Sequence, residues 1–416
     1  MKSLISIAFL LILTNISIAQ KLTKQDWTED IDYLKEELPQ KHYDLFHLKS
    51  RDYFNNEIEK LKSQLTEFDD LTIAIKLKQI IAKMGDTHTD IDISSFLEKS
   101  EFLPLNLYWF SDGLYILNTI ENHKELLGKR IEKINDFPVN VIADSLSTLF
   151  YPENQALIKK NIPNYIVNIT LLKYFEFANN DPVNVEVSEG AGSLTEKITP
   201  KKIPEENVVS YKTKAVVEFR KYQRRLFYDY YLPQSKTYII GYNKCFSKEN
   251  PPPGIKNAVR LPSFKSFENK VIQTIQQNEI DKFVFDLRLN TGGNSVQGTD
   301  LIEKLTKIKT LNQKGKLFVI IGRYTFSSAI INAMDFKKRT EAIFVGEETS
   351  GRPNHFGEVR TFDLPNSKVK VYYSTKYFKK YDLEDPTLKP DIYVDERFKD
   401  YVKGADPVLQ AILDYK

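Results

Sequence analysis

The same local sequence pattern occurs twice between residues 283 and 333: a short apolar run ends in a turn of small residues, and a helical pattern follows. The first run, residues 283–287, is closed by the NTGG sequence at 290–293. The second run, residues 317–321, leads to the TFSSA sequence at 325–329. Short apolar runs of β-forming residues closed by glycine are typical of buried strands. Because ligands bind beyond the carboxyl ends of the strands in an open α/β sheet, both turns are predicted to face one crevice.

Two serines, Ser327 and Ser328, open the helix that follows the second strand. A serine at this position commonly serves only as an N-cap. The alternative is a catalytic serine, because the positive end of the helix dipole lies beside it and the Gly292-Gly293 turn exposes backbone N–H groups. Together these features supply a nucleophile and donors for an oxyanion. The spacing alone leaves both interpretations open.

Three motifs follow one another between residues 286 and 351: DLRLNTGG, TFSSA and VGEETSG. In this order they resemble the signatures of the tail-specific (C-terminal processing) serine peptidases and their tricorn-type relatives. The resemblance implies an α/β fold with a ClpP/crotonase-like catalytic core. It also implies that Ser327 is the nucleophile, and that the N–H groups of Gly292, Gly293 and Ser328 form the oxyanion hole.

Two residues depart from the members of this family that use a Ser-Lys dyad. Arg352 stands where those members carry a lysine after Thr-x-Gly, and a guanidinium cannot lose its proton in a protein. Ile330 replaces the glutamate that they place three residues after the nucleophile. The Ser-Lys dyad is therefore excluded, whereas the tricorn-type arrangement of serine, histidine and acid is not.

The candidate base is His88, one of five histidines. A single histidine is more often a surface or core residue than a catalytic one. The GDTHT turn around His88, however, resembles the place where tricorn-type members carry their general base, with a hydroxyl residue, here Thr87, just before it. Imidazole is the natural base for a serine near pH 7. The rival is His355, which lies in the loop where the lysine would stand.

The candidate acid is Glu384, in the EDPTLKPD sequence that starts there. This segment resembles the one in which tricorn-type members carry a glutamate six positions before Pro-Asp. The resemblance implies that Glu384 orients the charge relay. The alternative is an exposed acid in a loop.

Residues 1–19 combine a charged start at Lys2, an apolar run and the small-residue sequence Ser-Ile-Ala. This is the pattern of a cleavable signal peptide, which predicts a secreted or periplasmic protein. No later segment has the length needed to cross a bilayer, so we expect no transmembrane segment in the mature chain. A single cysteine, Cys245, excludes an internal disulfide. The net charge of +3 comes from interspersed acidic and basic residues and gives no indication of nucleic-acid binding.

Periodicity, together with the family resemblance, predicts three domains after the signal peptide. Residues 20–100 carry helical stripes and are predicted to form an N-terminal helical domain that holds His88. Residues 101–200 are predicted to be PDZ-like, because the GKRIEKINDFPV sequence resembles the core of a PDZ domain. Residues 201–416 are predicted to be the α/β serine peptidase core. In PDZ domains an edge strand and a helix capture a peptide tail by β-augmentation, although a purely structural module is the alternative.

Within the PDZ-like segment the pattern predicts several elements: strands at 103–107 and 114–117, helices at 140–149 and 165–177, and a hairpin of 183–187 with 194–198. Altogether, the sequence predicts a secreted serine endopeptidase that hydrolyses peptide bonds in unstructured or C-terminal segments of proteins. Its partners would be peptide or protein substrates, and no metal or cofactor is implied. The alternative is a catalytically inactive protein on the same fold that binds peptides or other ligands.

Overall fold

The computed structural model describes residues 22–179, 181–202, 207–252, 254–382 and 384–416. The predicted signal peptide, residues 1–19, lies outside the described residues. Among the residues that the structure describes, no helix has both the length and the apolar character needed to span a membrane.

The described α-helices are α1 (Lys24–Lys41), α2 (Arg51–Ser63), α3 (Asp70–Ala82), α4 (Ser94–Leu97), α5 (Val139–Leu146), α6 (Gln155–Tyr165), α7 (Ile169–Tyr174), α8 (Glu218–Lys221), α9 (Phe264–Gln277), α10 (Val296–Thr306), α11 (Ser328–Arg339), α12 (Phe398–Lys403) and α13 (Pro407–Asp414). The strands are β1 (Asp90–Ile91), β2 (Asn106–Phe110), β3 (Gly113–Ile120), β4 (Ile131–Ile134), β5 (Phe137–Pro138), β6 (Val183–Glu189), β7 (Gly192–Ile198), β8 (Val208–Ser210), β9 (Phe227–Leu232), β10 (Thr237–Tyr242), β11 (Lys282–Asp286), β12 (Leu317–Ile321), β13 (Ile343–Gly346), β14 (His355–Asp363), β15 (Lys370–Phe378) and β16 (Ile392–Tyr393).

A six-stranded sheet in the order β16-β13-β12-β11-β10-β9 forms the centre of the C-terminal half. Its strands are parallel except for β9, which pairs antiparallel with β10. Phe283 and Phe285 pack with α9, α10 and α11 on one face, while Val284 faces α13 on the other. Burial on both faces explains why the centre of β11, residues 283–285, and the whole of β12 are continuous apolar runs, as parallel strands between helices require. The two predicted strands are confirmed, and their carboxyl ends lie side by side.

One apolar core joins the N-terminal helices to the segment that ends at Ile198 and to the hairpin of β14 and β15. The short strand β1 pairs antiparallel with β15, with Asp90 opposite Tyr372. The buried carboxylate of Asp30 on α1 accepts hydrogen bonds from the backbone N–H groups of Asn366 (2.7 Å) and Ser367 (2.8 Å) at the hairpin turn. The turn before β1 is therefore held against a hairpin that extends from the C-terminal half.

The middle of the chain forms two antiparallel sheets, ordered β2-β3-β8 and β5-β4-β6-β7. The predicted hairpin is confirmed as β6 and β7. The strand predicted at 103–107 is wrong in its first half, because Leu103 and Leu105 are buried in a loop and β2 begins at Asn106. The helix predicted at 165–177 is present but shorter, as α7 (Ile169–Tyr174). Helix α6 precedes it and ends at Tyr165, and an asparagine side chain caps the start of each of the two helices.

Candidate active site

Ser327 occupies the turn between β12 and α11 and has a left-handed backbone, with φ +54° and ψ −126°. Positive φ at a residue with a side chain is strained and persists only where the surrounding structure enforces it. Here the neighbour is Gly292, with φ +99°. A Cβ atom at Gly292 would lie 2.9 Å from the Cβ of Ser327 and 3.1 Å from the backbone nitrogen of Ser328. Only glycine therefore lets the two turns approach this closely.

The buried side chain of Asn290 ties the two turns together. Its Oδ1 accepts a hydrogen bond from the N–H of Gly292 (2.9 Å), and its Nδ2 donates to the carbonyl of Tyr242 (2.8 Å). Its own carbonyl accepts a hydrogen bond from the N–H of Phe326 (3.1 Å), the residue before the serine. Asn290 thus fixes the Gly292 turn against the segment that carries Ser327.

The backbone donors at the turn differ in availability. The N–H of Gly292 is committed to Asn290. The N–H groups of Gly293 and Ser328, in contrast, make no hydrogen bond to any described residue, and the Ser328 hydroxyl donates to the carbonyl of Gly293 at 2.6 Å. Two free N–H groups beside a serine at a helix start are the arrangement that stabilises a developing oxyanion.

His88 lies in the turn between α3 and β1, and its ring stacks on that of Phe326 with 4.7 Å between centroids and 19° between planes. Neither ring nitrogen, although buried, hydrogen-bonds to a described residue. Burial lowers the pKa of His88 below its usual value, opposed by the charge of Asp86 and assisted by that of Lys160. The imidazole is therefore neutral at pH 7 and able to accept a proton. No hydrogen bond joins it to Ser327 among the described residues, a separation that is common in catalytic sites without substrate.

Asp86 places a negative charge beside His88, with 3.9 Å between its Oδ1 and the Nδ1 of His88. Its Oδ2 accepts hydrogen bonds from Nε2 of His42 (3.1 Å) and from the hydroxyls of Thr89 (2.6 Å) and Ser374 (2.6 Å). Burial would raise the pKa of Asp86, but the hydrogen bond from His42, the charge that His88 carries at the low pH where Asp86 titrates, and the two hydroxyl donors outweigh burial and hold this pKa well below its usual range. Asp86 therefore remains ionised in the folded protein.

His355, the rival base, begins β14 and lies beyond His88, with 5.8 Å between the ring centroids. Its Nδ1 lies 3.1 Å from the carbonyl of Arg352 and donates to it. Burial, with a smaller effect of His88, lowers the pKa of His355 to about 4. Its imidazole is thus neutral at pH 7 as well, but its ring is not stacked on Phe326.

Thr87 and Glu384 both line a cavity of about 210 Å³ next to Asp86 and His355. Glu384 is exposed and accepts hydrogen bonds from the amide of Asn354 (3.0 Å) and the hydroxyl of Tyr377 (3.2 Å). Within the described part of the chain, no hydrogen bond or ion pair connects Glu384 to His88, and the Thr87 hydroxyl has no hydrogen bond. Both residues lie at the rim of the site.

No family model and no curated protein sequence matches this chain. Among solved structures, mature CPAF complexed with lactacystin covers 94% of this chain over 97% of its own length, at 13% identity and a TM-score of 0.67. A second structure of mature CPAF gives 13% identity, coverage of 94% and 96%, and a TM-score of 0.63. The chain has the fold of the tail-specific serine peptidases. A weaker likeness, with 12% identity, coverage of 93% and 99% and a TM-score of 0.40, is to the photosystem II D1 C-terminal processing protease.

The resemblance predicted from the motifs is thus confirmed at the level of the fold, together with the mixed α/β class. The motif order of the C-terminal half was sufficient for that prediction, although identity over the aligned chains is only 13%.

The sequence alone did not identify three residues as parts of the site: Asp86, Asn290 and Lys160. Asp86 and Asn290 belong to motifs that were recognised, GDTHT and DLRLNTGG, so their spacing from His88 and Gly292 was an available signal. Lys160 offered none, because it comes from α6 in the middle of the chain, where no helix was predicted. Its Nζ lies 4.5 Å from the centre of the Phe326 ring.

Among the described residues, a cluster of side chains of the types that bind metal ions lies away from the candidate active site. His123, Glu125 and Glu196 have ligand atoms within 4.8 Å of one another. The Nδ1 of His123 lies 3.3 Å from the Oε1 of Glu196. The cluster belongs to the segment around β7 and does not contact the turns at Gly292 and Ser327.

Proposed function

We propose that this protein is a serine endopeptidase in which Ser327 is the nucleophile and His88 the general base. The observation that carries the proposal is the stacking of His88, with two unbonded buried ring nitrogens, on the residue that precedes a strained serine. A base that is neutral and lacks a competing hydrogen bond is poised to take a proton from a hydroxyl brought close to it.

In the proposed reaction, Ser327 Oγ attacks the carbonyl carbon of a peptide bond while His88 takes the hydroxyl proton. The oxyanion that forms accepts hydrogen bonds from the N–H groups of Gly293 and Ser328, which need no reorganisation. His88 then returns the proton to the leaving amine, and an acyl-enzyme remains on Ser327. Water, activated by the same imidazole, hydrolyses this ester and restores the serine.

Gly292 contributes to the oxyanion hole by its shape, because its N–H already donates to Asn290. The acid of the relay is proposed to be Asp86, whose carboxylate lies 3.9 Å from the Nδ1 of His88 and stabilises the imidazolium. Glu384 is proposed to orient the relay only indirectly, through its hydrogen bonds to Asn354 and Tyr377. Thr87 has a positioning role in the turn that carries His88.

We further propose the three-domain division at residues 20–100, 101–200 and 201–416. The β5-β4-β6-β7 sheet and α5 support a PDZ-like domain, and the parallel sheet with helices on both faces supports a ClpP/crotonase-like core. Secretion or periplasmic location is proposed from the signal-peptide pattern in residues 1–19. The substrates are proposed to be unstructured or C-terminal segments of proteins.

Fluorophosphonate labelling of the purified mature protein tests the enzyme proposal directly. The reagent reacts with an activated serine: the bond from Ser327 Oγ to phosphorus forms, fluoride leaves, and His88 accepts the proton. We expect one adduct, located on Ser327 by peptide mass spectrometry, and no adduct in Ser327→Ala or His88→Ala. Ser295→Ala is the matched control, since Ser295 lies after the same glycine turn, and it should label like the wild type.

A wild-type protein that stays unlabelled would reject the enzyme proposal. The competing function is a peptide-binding protein without catalysis, which the lack of a hydrogen bond between His88 and Ser327 in the described structure favours. Such a protein would bind unstructured peptide tails without labelling and without turnover.

The pH profile of kcat/KM is a separate prediction. The base must be unprotonated, so activity falls as pH drops through the pKa of His88. Because burial lowers this pKa, the acidic limb is expected below the usual imidazole value of about 6.5. In Asp86→Asn the negative charge that raises this pKa is lost, and the limb should move to still lower pH. An acidic limb above pH 7 in the wild type would contradict the assignment.

A further inference from the structure

Lys160 brings a positive charge from α6 to the edge of the active site. Its Nζ lies 4.5 Å from the centre of the Phe326 ring and donates one long hydrogen bond, 3.4 Å, to the hydroxyl of Ser350. The side chain is partly buried. Within the described residues, no carboxylate lies within ion-pair distance of it.

Lys244 brings a second positive charge to the opposite turn. It follows β10, and its Nζ donates to the hydroxyl of Thr291, the residue before Gly292. Lys244 is also partly buried, and no ion pair to a described carboxylate involves it. The positive charge of Lys244, after burial, contributes to lowering the pKa of Lys160 to about 8. The ammonium group of Lys160 is therefore mainly charged at pH 7.

The lysine and arginine side chains that are fully buried in the described structure, Lys78 and Arg323, are each neutralised by a carboxylate. Lys78 pairs with Asp90 (2.7 Å), and Arg323 pairs with Glu347 (2.8 Å). Removing an ammonium from water costs several kcal/mol unless it is paired, and one aromatic ring with one hydroxyl compensates only part of that cost for Lys160. Two lysines without a described carboxylate partner, one next to Phe326 and one next to Thr291, therefore leave room for an anion that the protein does not itself supply.

From this placement we propose that Lys160 and Lys244 form a subsite that binds a carboxylate of the substrate close to the bond being cleaved. One lysine is next to the residue before Ser327, and the other is next to the residue before Gly292. The carboxylate is either the C-terminal α-carboxylate of a peptide or an aspartate or glutamate side chain. This inference rests on the proposed peptidase function and adds a substrate class to it.

The test compares internally quenched peptides that differ in a single carboxylate. One pair has a free C-terminus or a C-terminal amide; a second pair, both amidated, has glutamate or glutamine at each position near the cleaved bond. The measured quantity is the ratio of kcat/KM for the charged and neutral member of each pair. We expect the wild type to favour the charged member of one pair about tenfold or more, as a hydrogen-bonded charge pair provides. Which pair shows the preference identifies the source of the carboxylate.

Lys160→Met and Lys244→Met should each reduce that ratio towards one. The matched control is Lys159→Met on the same helix, because Lys159 has no hydrogen bond or ion pair to a described residue, and it should keep the ratio of the wild type. A ratio near one in the wild type for both pairs overturns the inference. A ratio that survives in Lys160→Met, with kcat lowered equally for charged and neutral peptides, also overturns it and indicates that Lys160 serves as a base.

A second measurement does not need turnover. A short peptide with a free C-terminus, its amide, and the amidated glutamate and glutamine peptides are each tested for slowing of fluorophosphonate labelling of Ser327. The charged member of one pair should slow labelling more strongly than its neutral counterpart, and Lys160→Met should remove the difference. Equal protection by both members of both pairs contradicts the subsite. An absence of labelling in the wild type contradicts the peptidase function itself, so the two failures are distinguishable.

Discussion

Ser327→Ala is expected to lower kcat by on the order of 10⁴-fold or more while leaving the fold unchanged, because the loss of a nucleophile removes the covalent step. Alanine retains the Cβ atom that lies close to Gly292. The Ser327 hydroxyl makes no hydrogen bond to any described residue, so its removal leaves no buried polar group unpaired. The measurement is turnover of a quenched, unstructured peptide, with thermal unfolding of the same sample as the test of folding.

Ser295→Ala and Ser328→Ala separate this effect from a general loss of serine hydroxyls near the turn. Ser295→Ala should retain full activity. Ser328→Ala keeps the N–H donor but loses the hydrogen bond to the carbonyl of Gly293, so a partial loss is expected. Full activity in Ser327→Ala would refute the nucleophile assignment, and an inactive Ser328→Ala beside it would transfer the role to Ser328.

His88→Ala is expected to produce the second largest loss, on the order of 10³-fold or more in kcat, since the serine then has no base. The variant removes a ring that stacks on Phe326, so folding must be checked as well. His88→Gln retains much of the volume and cannot act as a base, and it should be nearly as inactive. kcat and KM are measured separately, because loss of a base lowers kcat.

His355→Ala is the control for His88. The His355 ring lies next to that of His88, with 5.8 Å between the two centroids, and is not stacked on Phe326. Its Nδ1 donates a hydrogen bond to the carbonyl of Arg352. We expect this variant to keep activity within about tenfold of the wild type, an order-of-magnitude range for an indirect effect. An inactive His355→Ala together with an active His88→Ala would reverse the assignment of the base.

The local sequence determined the strands, turns and helix that carry the nucleophile. Residues 283–285 and 317–321 are apolar on both faces, which requires strands covered by helices on two sides, and the glycine-containing turns that follow end the two strands. The same local logic predicted the hairpin of β6 and β7 and the helical character of the N-terminal segment, which contains α1, α2 and α3. These features depend on residues close together in the chain, so periodicity and turn chemistry suffice to find them.

Local periodicity failed where tertiary contacts decide the structure. The apolar residues Leu103 and Leu105 have the pattern of a strand, yet they are buried in a loop. Helix α6 contains Pro163, a residue type that usually ends a helix. Asn154 nevertheless caps the start of α6, and the proline lies near its C-terminal end. Burial against another part of the chain can override an intrinsic preference of this size.

The sequence by itself determined that Ser327 lies at a helix start beside a glycine turn, and that Arg352 excludes a lysine at that position from acting as base. Only the tertiary structure decided which charged groups surround the serine. Asp86 rather than Glu384 lies beside His88, and Lys160 approaches Phe326 from a helix more than 160 positions away in the chain. The physical reason is that hydrogen bonding and dihedral preferences act between near neighbours in sequence. Charges and aromatic rings, in contrast, act through space between segments that only packing brings together.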